Sequence, residues 1–381
     1  MAQHRPIVYR TSVSVFFFCC GLTFATWAAR IPNIKDQFQL DEAALGAVLF
    51  MLPFGSLVAL PIAGWAVSHF GSRIITYLSA ILYAAFLVAL GYAPTVGWLS
   101  GFLFMFGFWG DVLNISVNTQ ALEAQQQFYE KPLMSSFHGL WSIGALGGAF
   151  FGGLFMKANT TTVFHFNTMA IIIALLATVF LFYMVPKDKI KSEEHKIFAL
   201  PDKSLLLLGA ICFCCALCEG AMADWSSLYY KQVVNNLKAV STTGYTAFAF
   251  CMAAGRLIGD KVTIRLGYKG VMFLDSFLIS AGLALAIFAA TPIAVIIGFG
   301  LVGFGVATII PNVYSLAGRS KTMAPSTALA AVSTLGFSGF LIGPPMIGFI
   351  AHETGLRWAL ITVLILGLVI ALFSRKVKEP A

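Results

Sequence analysis

Residues 64–73 read GWAVSHFGSR, and residues 260–269 read DKVTIRLGYK. Each is a basic, glycine-containing turn that closes an apolar run. A shift of 196 residues lays one on the other, placing Gly71 on Gly267, His69 on Arg265 and Arg73 on Lys269. Working outward, the same shift carries Gly107 onto Gly303, Ala121 onto Ala317, Ser142 onto Ser338, Gly147 onto Gly343 and Gly152 onto Gly348. One offset that serves several pairs of apolar segments marks a duplicated unit.

The sequence around the turns sets the solvent in which that unit folds. The 381 residues are 59% hydrophobic and 10% charged, with 35 Phe and a mean hydropathy of +0.86. Soluble domains carry about 25% charged residues. This chain has more apolar surface than a soluble protein can bury, so it is read as a polytopic membrane protein. Apolar runs of about 20 residues predict twelve spans, near 11–30, 43–67, 73–93, 96–122, 134–157, 163–185, 204–230, 241–260, 270–290, 292–318, 325–351 and 356–374. The first is not expected to be a cleaved signal, because Arg30 follows a long apolar core without a small-residue cleavage site.

Charge orients the spans. Of the 24 lysines and arginines, only Arg30, Lys35, Lys157, Lys231, Lys238 and Arg357 fall opposite the side that holds the N-terminus. The positive-inside rule then predicts both termini in the cytoplasm. The formal charge of +8 is spread over the ends of spans, which argues against a nucleic-acid surface. VPKDKIKSEEHKIFALPDK, Val185–Lys203, is the one charge-rich linker, and its charges are read as solvating it on the cytoplasmic side. The predicted fold is an all-α membrane protein of 12 transmembrane helices in two pseudo-symmetric six-helix bundles. Residues 1–186 and 204–381 form the bundles, and 187–203 joins them.

All seven cysteines lie inside apolar runs, so no disulfide framework is indicated. CFCCALCE, Cys212–Glu219, holds four of them. With no histidine or second cysteine pair to complete a zinc set, packing is the preferred reading over a soft-metal site. No metal or cofactor is expected.

Polar residues in the spans carry the functional reading. GFWGDVLNISVNTQALEA, Gly107–Ala124, places Asp111, Asn114 and Asn118, followed by Gln125, within about 60° of arc at 100° per residue. An ionised carboxylate at mid-bilayer costs about 2.5–3.5 kcal/mol even on insertion scales, so this edge must face protein or water. Two readings fit: an interhelical clamp worth about 0.6–2 kcal/mol per contact, and the wall of a hydrated cavity. Asp111 favours the cavity, because amides alone would serve a clamp. Glu219 and Asp224, in EGAMADWSSLYY, are the other carboxylates considered within or near the bilayer, and Asp111 is the first choice for a proton site. Trp27 and Trp225 are read as cavity residues or as interfacial anchors. His138 is read as a hydrogen-bonded residue at a helix start. Gly144, Gly148 and Gly152 recur every four residues, a spacing that lets another helix approach closely. Pro344 and Pro345 are expected to bend the eleventh span.

These residues resemble the major facilitator superfamily over essentially the whole chain. The family's loop motif, G-x-x-x-D-R-x-G-R-R/K, survives as Gly64, Ser68, His69, Gly71 and Arg73, without its Asp and first Arg. The copy in GRLIGDKVTIRLGYK is fuller in charge, with Arg256, Asp260, Arg265 and Lys269. WAARIPNIK, DVLNISVNTQALEAQ, SSFHGLWSIGALGGAFFGG, CEGAMADWSSLYY and GFLIGPPMIGFIA look like the YbjJ/MosC-type bacterial inner-membrane permeases, in the fucose-permease-like part of the superfamily. The resemblance implies alternating access between two bundles. It also implies an outer gate in which Arg30 pairs with Asp224 or Glu219, with a snorkelling Arg30 as the alternative. A cytoplasmic gate would draw on Arg73, Glu123, Arg256, Asp260 and Arg265, with Glu123 read as a loop-end charge within reach of Arg73 or of a second-half arginine. Related fucose-type symporters use carboxylates in the first and fourth spans, and here the first span has none.

No GxxxxGK[ST], HExxH or GxSxG occurs, so ATP drive and membrane-enzyme chemistry are not supported. The sequence points to a monomeric secondary transporter for a small polar solute (sugar, cyclitol or amine), coupled to protons and seated in a bacterial inner membrane. Proton-driven efflux of amphiphilic drugs, suggested by the many Phe and Met, and a transport-dead sensor on the same fold stay open as alternatives.

Overall fold

Threonine starts three of the long helices in this computed structural model, which describes residues 5–129, 134–186, 188, 205–234, 241–320 and 325–377, with the side chains at 126, 135, 260, 325–327, 329 and 330 outside that description. The hydroxyls of Thr95, Thr161 and Thr291 accept from the amides of Trp98, Phe164 and Ala294 at 3.4, 3.1 and 3.3 Å. Each cap is worth about 1 kcal/mol. Thr95 and Thr291 stand 196 residues apart, the offset of the sequence repeat.

The described residues form helices throughout: α1 (Pro6–Phe38), α2 (Glu42–Phe70), α3 (Ser72–Gly91), α4 (Val96–Phe128), α5 (Met134–Lys157), α6 (Thr162–Leu181), α7 (Leu206–Val233), α8 (Thr243–Ala289), α9 (Pro292–Ala307), α10 (Ile309–Ala317), α11 (Pro325–Thr354), α12 (Leu356–Ala359) and α13 (Ile361–Ser374). Among them, 11 stretches are long and apolar enough to cross a membrane. Pairs of helices supply two of these, Pro292–Ala317 through α9 and α10, and Leu356–Ser374 through α12 and α13.

The difference from the twelve predicted spans lies in α8. Its 47 residues extend about 70 Å, more than twice a hydrocarbon thickness of about 30 Å. It bends at Gly267, where φ is 72° and ψ is 168°, so its two arms correspond to the predicted eighth and ninth spans. Among the 11 it supplies Lys261–Ala289, the second arm with the last turns of the first; the rest of the first arm carries Arg256. Gly71, the repeat partner of Gly267, has φ 85° and separates α2 from α3. A side chain is strained in that region of φ/ψ space, which accounts for glycine at both turns.

The chain divides into two compact units, Met1–Ile34 with Met51–Glu193, and Lys35–Phe50 with Glu194–Ala381. Residues 35–50, given to the first bundle in the sequence reading, therefore group with the second unit.

In the first unit α5 lies against α1 along the predicted glycine row. A Cβ on Gly144 would overlap the Phe18 carbonyl, one on Gly148 would crowd Leu22 and Ala25, and one on Gly152 would crowd Ala29. On the other helix, Gly21 fits beneath the Trp141 carbonyl. In the second unit Gly339 abuts the Phe213 carbonyl, bringing α11 onto α7, and α11 continues as one helix through Pro344 and Pro345. Two contacts recur at the repeat offset. Gly107 abuts the Leu52 carbonyl in one unit, and Gly303 abuts the Phe248 carbonyl in the other. Likewise Gly55 abuts Phe104, and Gly300 abuts Cys251.

Large apolar side chains fill both the inside and the outside. Phe16, Phe17, Phe106, Phe137, Phe166, Phe248 and Phe299 are buried, while Phe150, Phe164, Phe182, Phe277 and Phe288 are exposed. An apolar surface of that extent suits lipid as solvent.

Candidate functional site

The fourth helix carries the polar edge. In its upper part α2 packs tightly, with Gly107 beneath Leu52 and the Ser56 hydroxyl donating to the Gly107 carbonyl at 3.1 Å. Further along, Ala59, Ala63 and Val67 of α2 join Val112, Ile75, Phe108, Trp109 and Ile115 in an apolar cluster on the flank of α4. The edge beside that flank stays polar. Asn114 is exposed, and Asp111 and Asn118 are half-buried. The Asn118 amide donates to the Asn114 side-chain oxygen at 3.0 Å and to its carbonyl at 2.7 Å. One Asp111 oxygen, Oδ2, is enclosed and has no hydrogen-bond partner among the described residues. Enclosed polar atoms are nearly always paired. This one has an acceptor site left for a proton or for a donor on a ligand.

The remaining polar residues of the stretch do different work. Gln120 is fully buried and ties three segments together. Its amide donates to Ser72 Oγ at 2.6 Å and to the Val185 carbonyl at 3.2 Å, and its oxygen accepts from the Val185 amide at 3.0 Å. Ser72 in turn gives its amide and hydroxyl to the two Asp188 oxygens, each at 2.6 Å. The loop before α3, which lacks the family's Asp, thus receives a carboxylate from Asp188, just beyond α6. That carboxylate stands at a helix N-terminus, where negative charge is favoured. Gln120, off the Asp111 edge, is therefore an interhelical clamp.

Residues expected at a cytoplasmic gate have described partners within their own units. Arg73 Nε donates to the Leu181 carbonyl at 3.1 Å. Glu123, expected as a loop-end charge, is fully buried and accepts from Gln127 at 2.6 Å, because α4 runs six residues beyond the predicted span. Arg265 is exposed. The side chain of Asp260 lies outside the described residues.

Within its own unit Arg256 pairs with Glu219 of α7 at 3.1 Å, with only 22% and 14% of the two side chains exposed. Arg30, expected at an outer gate, has described partners inside the first unit. Arg30 is 2% exposed, eight residues before the end of α1, so it neither ends a helix nor snorkels. Its Nε donates to His165 Nδ1 at 3.1 Å, and one terminal nitrogen donates to the Thr160 carbonyl and hydroxyl, both at 3.2 Å. An imidazole and a loop carbonyl are thus its partners within the first unit, and the Phe155 ring stacks on His165 at 4.5 Å. Asp224 is half-buried. Trp27 and Trp225 are both buried with indole N–H groups lacking acceptors among the described residues, which removes the interfacial-anchor reading for both. His138 is exposed and meets the Phe17 ring edge-on at 5.2 Å.

Two groups escaped the sequence reading. Asp275, inside the apolar run VMFLDSFLIS, is buried and accepts from the Thr308 hydroxyl at the break between α9 and α10. The signal that singled out Asp111 was equally present there. His165 sits in the first turn of α6, in TVFHFNTM, and nothing in its spacing announces Arg30 as its partner. The α7 cysteines are buried packing groups. Cys215 and Cys218 approach the carbonyls of Val306 and Val363 at 3.8 and 3.7 Å. Among the described residues no cluster of three or more His, Cys, Asp or Glu side chains suits a metal.

Comparison with known proteins places this geometry in context. The model of the Major Facilitator Superfamily matches residues 12–321 and 238–381. The chain is 31% identical to the membrane protein MosC of Rhizobium meliloti over 96% of its own length and 89% of the relative's. It is 32% identical to an uncharacterized MFS-type transporter of Yersinia pestis, over 99% and 98% of the two chains. Its fold is similar to the crystal structure of the nucleoside transporter NupG, with a TM-score of 0.75 at 14% identity over 97% of this chain and 100% of that one.

Proposed function

Because this chain belongs to the Major Facilitator Superfamily, and so is a multi-pass membrane protein built as a secondary transporter, we propose that it carries a small polar organic solute by alternating access, with Asp111 as the group that couples transport to protons. The observation that carries this reading is the enclosed, unpartnered Asp111 oxygen on a helix edge that also presents Asn114 and Asn118. Two amides and a carboxylate match the hydroxyls or ammonium of a sugar, cyclitol or amine. Protonation of Asp111 would remove the cost of holding a charge in the bilayer and would change what the edge binds. The second unit supplies another polar locus, the Glu219–Arg256 pair, whose carboxylate and guanidinium are polar groups a solute could contact.

The recurrence of glycine contacts at one offset supports the reading of two duplicated six-span halves. The lysine and arginine distribution supports both termini inside, and the bacterial relatives support an inner-membrane location.

The test begins with a thermal-stabilisation screen of the purified protein across sugars, cyclitols and amines. The stabilising solute is then added to proteoliposomes loaded with a pH dye. Proton entry that depends on the solute and is lost in Asp111→Asn, while solute exchange persists, is the expected result. Uphill accumulation that is unchanged in Asp111→Asn rejects Asp111 as the coupling group.

A further inference from the structure

The break between α9 and α10 has a chemical cause, and an acid stands beside it. Pro311 has no N–H to return to the Ala307 carbonyl four residues back, so the helix does not run smoothly through Thr308. The Thr308 hydroxyl donates to Asp275 Oδ2, on the second arm of α8. Asp275 lies about 12 Å along that arm from the bend at Gly267, inside Lys261–Ala289, a stretch long and apolar enough to cross a membrane.

The first half of the repeat lacks all three residues. At the offset of 196, Ile115 stands for Pro311, Val112 for Thr308 and Ser79 for Asp275. There α4 runs unbroken from Val96 to Phe128. The Ser79 hydroxyl turns back on its own helix, to the Ile75 and Thr76 carbonyls at 2.6 and 3.1 Å. Acid, hydroxyl and proline therefore occur together, and the broken helix occurs with them.

The surroundings of Asp275 decide its charge. It is 4% exposed, and among the described residues no lysine, arginine or histidine pairs with it. α9 presses on it so closely that a Cβ at Gly305 would run into its carbonyl. Neither α9 nor α13 contains a titratable side chain. α7 contributes the buried Cys215 thiol, and Tyr314 of α10 is engaged with Cys212 and Ser333. Of the basic residues around it, Arg256 pairs with Glu219, Arg375 stands over the Phe273 ring, and Lys261, Arg265 and Lys269 are exposed. A carboxylate held here by one hydroxyl would be a buried charge without a counter-ion, which is strongly unfavourable. A carboxylic acid suits the site, since one oxygen accepts from Thr308 while the other carries the proton.

We propose that Asp275 is a proton-binding group of the second unit: as a neutral acid it clasps the α9–α10 break to α8, and loss of its proton releases the break. On ionising, the carboxylate must draw in water or a cation, and the junction weakened by Pro311 is where the packing yields. This needs neither Asp111 nor a solute.

Infrared spectra of the full-length protein in lipid nanodiscs test it, in Asp111→Asn, so that the result does not depend on the coupling role given to Asp111. Mildly acidic buffer should give a carboxylic-acid band that fades in alkaline buffer and that Asp275→Asn removes. Thr308→Val should move this band to higher frequency, because a C=O bond relieved of its hydrogen-bond donor stiffens. Thr308→Ser, which keeps the hydroxyl, should leave it in place. Hydrogen exchange at the Asn312 amide, which donates to the Thr308 carbonyl at 3.0 Å, reads the break itself. Once the intrinsic pH dependence of exchange is removed, alkaline buffer should speed it about tenfold, and Asp275→Asn should hold it slow. If Asp275→Asn removes no acid band, the proton site is overturned. If exchange at Asn312 rises equally in Asp275→Asn, the hold of this acid on the break is overturned. A thermal scan of each variant separates misfolding from both results.

Discussion

Replacing Arg256 by Gln is the perturbation whose cost the structure sets most clearly. At 3.1 Å and with less than a quarter of either side chain exposed, the Glu219–Arg256 pair attracts with a gross energy of about 5 kcal/mol at an effective dielectric of about 20. Much of that offsets the cost of removing both charges from water. Arg256→Gln keeps the size of the group but leaves Glu219 as a partly buried charge without its cation. Breaking a fully buried pair costs about 3–5 kcal/mol, and the residual exposure here reduces that to about 2–3 kcal/mol. Removing both charges in Glu219→Gln/Arg256→Gln abolishes the desolvation cost along with the attraction, so the double variant should lie within about 1 kcal/mol of the parent. For a unit of this size 1 kcal/mol moves the midpoint by about 2–4 °C. A thermal scan in detergent should therefore place Arg256→Gln about 5–10 °C below the parent and the double variant near it. Additive losses in the two single variants and their combination would refute the reasoning, because independent charges do not rescue one another.

Gln120→Ala strips the Val185 amide of its acceptor and Ser72 of a donor, and should cost about 2–4 kcal/mol. Faster hydrogen exchange at Val185 would show it, and unchanged exchange there would deny the clamp. Gly107→Ala drives a methyl group into the Leu52 carbonyl and should destabilise by about 1–3 kcal/mol. Gly64→Ala, with no atom within 4 Å of the added Cβ, should gain up to about 1 kcal/mol from helix propensity. Similar effects on folded yield from the two substitutions would contradict the packing described for α2 on α4.

The membrane class, the helix positions and the turn glycines were legible because each rests on a local physical signal. Lipid as solvent demands long apolar runs, and a positive φ demands glycine at Gly71 and Gly267. The polar stripe on α4 was legible too, since helical periodicity alone places Asp111, Asn114 and Asn118 on one edge. Partners were not legible. Arg30 was matched with acids in the sequence reading, yet it bonds a histidine and a loop carbonyl more than 120 residues away. Glu123 was judged by its place at a span end, and the extra length of α4 buries it. Arg256 and Glu219 were assigned to opposite gates, because nothing in a linear pattern says that an arginine in the eighth span and a glutamate in the seventh meet. Periodicity predicts which face a side chain occupies. It does not predict what stands opposite.

The account turns on whether the α4 edge meets water, and cysteine accessibility reads that without a known substrate. Six native cysteines are buried and Cys251 is partly so, so Asn114→Cys can be placed in a Cys251→Ser background in native membranes and offered a charged, water-soluble maleimide. Leu175, an exposed apolar residue of α6, gives the lipid-facing comparison as Leu175→Cys. The account predicts that Asn114→Cys reacts and Leu175→Cys does not. If the charged reagent spares Asn114→Cys while a membrane-soluble maleimide modifies both, the edge faces hydrocarbon and the proposed role of Asp111 is wrong.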